Sequence, residues 1–366
     1  MTGVPLSAEA GAAAVPSLAR AALTRRTGVL LGLTAATLVL ALLAVVSGSV
    51  ALDPVDALRV LVGMDAVDPR VELLVGTVRL PRMATAACAG AALGVAGLQM
   101  QTIFRNPLAD PFSLGVSSGA SLGVALLITG AGVAVSGTFA AGLGVLGRFG
   151  TVSAAALGAA AVLAVLLVLS RGVRVPAMLL IIGVMLGSAV TALVSLLLIW
   201  TDPLRAQQYI SWGLGSFGGT TNQDLVILLG FTALGIVVAL LSIKPLNALL
   251  LGEAYAQSVG VNVRRTRVIV LVGASLLTGV VTAFCGPIGF IGIAAPHVAR
   301  RLIGTSDHRS LLPAAALVGA CAALGCSIVS LLPGQVIPIN VITSLVGAPI
   351  VIAILLRSKA IQGVSA

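Results

Sequence analysis

From Ala84 to Phe104 the chain runs through about 21 residues without a charge. At 1.5 Å per helical residue this run spans roughly 30 Å, the thickness of a hydrocarbon core. It therefore reads as a membrane-crossing helix with a polar device at each end. Arg79 and Arg82 stand three residues apart before it. A polar, proline-rich turn, Arg105-Asn106-Pro107-Leu108-Ala109-Asp110-Pro111, and then a Gly/Ser-rich stretch follow it.

The rest of the chain repeats the pattern. Apolar runs at about 28–47, 84–104, 113–135, 152–169, 177–200, 225–243, 268–285, 287–303, 312–332 and 340–356 give about ten spans. Two of them, 113–135 and 287–303, are interrupted by Gly or Pro, and the reading has them partly broken. Only 9% of residues are charged, against about 25% in a soluble domain. The fold class is thus an all-α polytopic membrane protein. Close helix contacts through small residues are expected, as at Gly90-x-x-x-Gly94 and Gly183-x-x-x-Gly187.

An even number of spans puts both termini on one side, and the positive-inside rule selects the side. With the N-terminus cytoplasmic, inner segments hold 15 of the 21 basic residues and four of the 11 acids, leaving six bases against seven acids outside. Residues 1–27 form a cytoplasmic tail, 28–357 the membrane domain, and 358–366 a second cytoplasmic tail. The first run is long enough to span and reads as a retained helix rather than a cleaved signal. Arg79 and Arg82 stand out because they sit at the outer end of their span.

Several functions are excluded. The net charge of +10 lies between apolar runs rather than on one soluble face, so nucleic acid is not a partner. Cys88, Cys285, Cys321 and Cys326 fall in apolar runs without metal-ligand spacing and read as packed small side chains. There is no GxxxxGK[ST] segment and no nucleophile or acid–base constellation, so the chain is not an enzyme. Its spans hold almost no ionisable groups, which argues against a proton relay or an ion-coupled carrier. Transport through such a chain must draw its energy from elsewhere.

The longest inner connection is 244–267. Leu246 to Ser258 reads as one short helix, ended by Gly260, with Leu249, Leu250 and Leu251 beside Glu253 and Gln257. Such a helix suits docking on another protein or lying on the membrane surface, and the residues alone do not choose.

Segment 79–121 resembles the signature of the FecCD-type permeases, the membrane subunits of ABC importers for ferric siderophores, haem and cobalamin. Further similar segments follow in order: Trp212–Gly219 after the fifth span, Gly252–Val261 in the inner connection, Gly286–His297, Asp307-His308-Arg309 with Leu311-Leu312-Pro313, and Val346–Pro349. The resemblance covers about residues 28–357. It implies a type II ABC importer permease architecture in a bacterial cell membrane. It also implies a second permease protomer as homodimer mate, two ATP-binding cassette subunits, an extracytoplasmic substrate-binding protein and surrounding lipid. This chain would bind no cofactor, with ATP and Mg held in the partner subunits.

The resemblance also assigns sites. Arg79 and Arg82 would dock the binding protein; membrane anchoring, or pairing with acids of the 53–72 loop, are the other readings. Asn106, Leu108, Pro176 and Ala177 fall at the cytoplasmic gate, where Val175-Pro176-Ala177 replaces hydroxyl residues found in some members. Leu250, Gly252, Glu253, Ala256, Gln257 and Gly260 would couple to the ATPase. Gly325–Ser330 and Val336-Ile337-Pro338 depart from the family pattern where a third docking arginine would stand. The cargo implied is an iron complex, with cobalamin or an oxyanion as the alternative. The other classes considered are a secondary carrier and a structural subunit of a membrane enzyme.

Overall fold

The computed structural model describes residues 8–48, 50, 52–130, 145–173, 176–331 and 336–363. Val175, Arg174 and the end of the expected 113–135 span lie outside the described residues. Among the described residues there is no strand. The helices, in order, are α1 (Ala8–Val46), α2 (Pro54–Leu61), α3 (Pro69–Leu74), α4 (Leu80–Phe104), α5 (Val116–Gly130), α6 (Val145–Ser170), α7 (Pro176–Ile199) and α8 (Pro203–Gly213). They continue with α9 (Asn222–Leu241), α10 (Ile243–Leu250), α11 (Glu253–Ser258), α12 (Val263–Cys285), α13 (Ile291–Ile303), α14 (His308–Val329) and α15 (Ile339–Gly363). A π-helical turn, Val75–Arg79, fuses α3 to α4.

One local rule starts four of the helical segments. Each Asp-Pro pair in the chain opens a helix or a 3₁₀ turn. Proline supplies a pre-set φ at a position whose N–H would be an orphan, and the aspartate accepts the amide two residues on. The bonds are Asp53 to Val55 N (2.9 Å), Asp68 to Arg70 N (2.9 Å), Asp110 to Phe112 N (3.2 Å) and Asp202 to Leu204 N (2.9 Å).

Among the described residues, seven helices are long and apolar enough to cross a membrane: Leu23–Val46, Pro69–Phe104, Gly150–Ser170, Ala177–Ile199, Asn222–Leu241, Val263–Cys285 and His308–Val329. The apolar helices Val116–Gly130 and Ile339–Ala353 are shorter, and α13 has 13 residues. With these three, the described helices come close to the expected ten spans. The two runs with Gly or Pro interruptions are among those that fall short. In the stretch before α13, Gly286 (φ 74°) and Phe290 (φ 69°) turn the backbone out of the helix and leave a half-length segment.

The α4 helix lies at the centre of the bundle, with nearly every residue from Ala86 to Phe104 buried. Its glycines permit the approach of its neighbours. A Cβ on Gly90 would stand 2.2 Å from Gly319 O of α14, and one on Gly94 would stand 2.3 Å from Ala315 O. Gly183 and Gly187 of α7 receive Gly115, at the start of α5, in the same manner. Both GxxxG segments are thus packing surfaces. Outward faces carry exposed Leu38, Leu157, Leu193 and Val226, as a helix facing hydrocarbon requires. All four cysteines are free, with Cys88 and Cys285 buried.

Contacts between loops sort the connections to two ends of the bundle. At the basic end, Arg105 Nη2 donates to Leu249 O (3.1 Å) and Asn247 Nδ2 to Asp307 Oδ1 (2.6 Å). At the opposite end, Asn222 Nδ2 donates to Gly76 O (3.2 Å), Ser216 N to Cys285 O (2.8 Å) and Asn340 N to Leu214 O (3.1 Å). This is the alternation of loops that the span count predicts.

Candidate functional site

The 244–267 connection forms two helices rather than one. Gly252 (φ 122°, ψ 154°) breaks the expected 246–258 helix, because this backbone conformation is open to glycine and closed to a side chain. Ahead of the break, Leu246 and Leu249 of α10 are buried while Leu250 and Leu251 are exposed. Beyond it, Ala256 of α11 is buried and Gln257 is exposed. Gly260 (φ 84°) ends α11, and Asn262 caps α12 through Arg265 N (2.9 Å). Glu253 reaches back to Arg267 Nη2 at 3.0 Å and ties the connection to the foot of α12.

This surface is joined to the interior by a buried polar cluster that the sequence reading did not find. Asn247 Oδ1 accepts both His308 N (2.9 Å) and His308 Nδ1 (2.8 Å), while its Nδ2 faces the Asp307 carboxylate. These neighbours fix the amide orientation, so Nδ1 carries the proton. His308 Nε2 lies 2.9 Å from Thr102 Oγ1 in the last turn of α4. Burial opposes ionisation of Asp307. The Arg309 amide, the Asn247 amide and the Arg309 and Arg26 charges outweigh it and hold the carboxyl below its usual range. The cluster thus locks α10, α4 and α14 together. A sequence signal existed only in part: Asp307 reads as a helix cap, but nothing pairs it with Asn247 sixty residues earlier.

Immediately after Thr102, α4 ends on Arg105 in the left-handed conformation (φ 47°, ψ 35°). Asn106 and Leu108 then form a tight turn, with Asn106 Oδ1 accepting Leu108 N (3.0 Å). Both side chains are half-buried. Pro107 O receives His297 Nε2 of α13 at 2.8 Å, which gives His297 a main-chain role. Desolvation at Asp110 pushes its carboxyl up to about 6, against the opposing effect of the Phe112 amide. Pro176 opens α7 and Ala177 is exposed.

Beyond this turn an open groove of about 390 Å³ runs between α5 and α7. Phe112, Gly115, Ser118, Gly187, Ser188 and Thr191 line it. Hydroxyls and glycine backbone make its wall weakly polar, with no ionisable side chain among the lining residues. Ser188 and Thr191 share one helix face by their i,i+3 spacing, a signal present in the sequence but not used.

At the far end the two arginines part company. Arg79 is 6% exposed. Its Nη1 donates to Val45 O (2.8 Å) and Val46 O (2.5 Å), and its Nη2 to Val50 O. A cation here satisfies carbonyls that the end of α1 leaves orphaned. Three of the guanidinium's N–H groups are thus taken up by main-chain carbonyls inside the chain, where the sequence expectation had Arg79 dock the binding protein. Among the described residues neither arginine pairs with an acid of the 53–72 loop; Asp56 instead lies 3.6 Å from Arg59. Arg82 is half-buried, and donates to Ser327 Oγ and Ser330 Oγ, each at 3.2 Å.

Residues 36–357 match the FecCD transport family. The vitamin B12 import system permease protein BtuC of Klebsiella pneumoniae is 37% identical over 291 residues, 79% of this chain and 84% of that protein. The hemin transport system permease protein HmuU of Yersinia pestis is 36% identical, over 77% and 83% of the two chains. The ABC transporter permease protein YvrB of Bacillus subtilis is 38% identical, over 79% and 80%. Among solved structures, an inward-facing metal-chelate type ABC transporter superimposes with a TM-score of 0.74 at 30% identity, covering 90% of this chain and 99% of that one.

Proposed function

The chain belongs to the FecCD transport family of ABC importer permeases, and from that premise we propose that it passes an iron complex, a ferric siderophore or haem, from a binding protein to the cytoplasm. One observation carries the reading. An exposed two-helix surface, α10 and α11, is tied through Asn247, His308, Thr102 and Arg105 to the turn at the mouth of a weakly polar groove. A partner that hydrolyses ATP could push on the first and move the last. The groove offers hydroxyls and backbone rather than metal ligands, which suits a metal already wrapped in an organic chelator. Relatives named for vitamin B12 and hemin carry cargo of that kind.

Vesicles holding this permease, its ATPase and its binding protein test the cargo. ATP-dependent uptake of ⁵⁵Fe as siderophore or haem is expected. Uptake confined to cyanocobalamin would replace the iron reading by the cobalamin one, which the BtuC relatives favour.

On this reading a second protomer closes the groove, and Asn106 and Leu108 narrow its exit. Asn106 uses its side chain within its own turn, so the reporter belongs at Leu108. Leu108→Cys, with Cys321 and Cys326 changed to serine, should crosslink to its dimer mate in one nucleotide state and not in the other. Equal crosslinking with and without ATP would remove the gate from this turn.

We place binding-protein docking on Arg82. Rim charges mainly steer association, so Arg82→Glu should slow the on-rate and flatten its salt dependence. Arg79→Ala should instead lower the unfolding temperature, because it leaves the carbonyls of Val45, Val46 and Val50 without their donor. Surface plasmon resonance and thermal unfolding separate the two. A normal on-rate for Arg82→Glu would leave that residue as a clasp on Ser327 and Ser330.

A further inference from the structure

The seam between α6 and α12 carries two cavities in line, the outer one bordered by the α11 coupling surface and the inner one used by no part of the functional reading above. At the basic end, a cleft of about 750 Å³ is lined by Leu167 and Arg171 at the end of α6, by Glu253 and Gln257 of α11, and by Arg264, Arg267 and Val268 at the start of α12. Arg267 is engaged by Glu253. Among the described residues Arg171 and Arg264 have no ion-pair partner. The first turn of α12, with its outward N–H groups, adds positive potential on the same side.

One helical turn deeper lies an apolar cavity of about 210 Å³. Leu163 and Ala160 of α6 and Val272, Ser275 and Gly279 of α12 line it. Leu167 lies one turn from Leu163 on α6, and Val268 one turn from Val272 on α12, so the two cavities adjoin along the seam. Ala160 and Val272 are exposed on the outward face, which opens the groove to the bilayer. Ser275 Oγ is buried in its wall and has no hydrogen-bond partner. From Arg171 to Ala156 the seam runs about 22 Å at 1.5 Å per residue, more than the roughly 15 Å of one leaflet.

A basic mouth at the membrane surface leading into an apolar groove open to hydrocarbon matches one kind of molecule. We propose that this seam holds an anionic glycerophospholipid from the leaflet at the basic end. Its phosphate lies between Arg171 and Arg264, and one acyl chain lies along Leu163, Ala160 and Gly279. A soluble partner would complement the charges but has no route into a groove that faces lipid. The bound lipid would brace the foot of α12, where Arg267 anchors Glu253.

The assembled importer, permease with its ATPase, is purified in detergent and examined by native mass spectrometry with added dioleoyl phosphatidylglycerol or phosphatidylcholine. Retention of phosphatidylglycerol but not phosphatidylcholine is expected. Arg171→Gln with Arg264→Gln should weaken retention about 30-fold, from roughly a fivefold effect per arginine. The matching double lysine variant should keep it, which separates loss of charge from loss of fold. Ala160→Phe should fill the groove and weaken retention with both arginines present. Millimolar inorganic phosphate should leave the lipid in place. Four results would overturn the proposal: equal retention of both lipids, full retention in the double Gln variant, displacement by phosphate, or retention by the free permease that disappears when the ATPase binds. The last would give the cleft to acidic groups of the ATPase.

Discussion

Reversing two side chains on the coupling surface, Glu253→Arg with Gln257→Arg, should abolish ATP-driven uptake while the permease still folds. Gln257 is exposed and Glu253 partly so, and neither supports the buried core of the bundle. Placing two positive charges on a docking face costs several kcal/mol of binding, so affinity for the ATPase should fall on the order of a hundredfold. Glu253 also bonds Arg267, and its reversal repels that residue. The ordering and docking roles are separated by an exchange, Glu253→Arg with Arg267→Glu, which restores the ion pair in the opposite sense. If the pair only orders the connection, the exchange returns transport to near wild type. If the carboxylate meets the ATPase, transport stays lost although the connection is ordered. Wild-type uptake in the first double variant would remove coupling from α11.

The legible part of this fold was the part that hydrophobicity and charge dictate. The uncharged run ending at Phe104 and the bias of basic residues to alternate loops gave the helical bundle and the sorting of its ends. Gly90 and Gly183 announced close helix contacts by spacing alone. The break at Gly252 was missed because the leucines and polar residues around it fit one amphipathic helix, and a single glycine's φ does not show in periodicity. The bonds of Arg79 were not legible for a related reason. Its position against the charge bias is real, but the bias cannot distinguish a charge facing a partner from one capping the carbonyls of α1. The cluster of Thr102, Asn247 and His308 joins three helices across more than 200 residues, and only tertiary structure brings it together.

Gly97→Ala should be among the most damaging single methyl additions the bundle can receive. A Cβ there would stand 1.8 Å from Gly292 O and 2.6 Å from its carbonyl carbon, and both obstacles are backbone. No rotamer change relieves the clash, so α4 and α13 must separate. Overpacking of this kind costs typically 1–3 kcal/mol, occasionally more. The displacement would also reach the groove mouth, because α13 carries the His297 bond to Pro107 and Gly292 lies against Pro111 and the Asp110 carboxylate. A lower unfolding temperature and slower uptake are therefore expected together. Gly32→Ala on α1 is the control, since a Cβ there meets nothing within 4 Å and alanine is the better helix former. If both variants unfold and transport alike, the contact between α4 and α13 is looser than its geometry states. Gly97 would then be a glycine by composition and not by need.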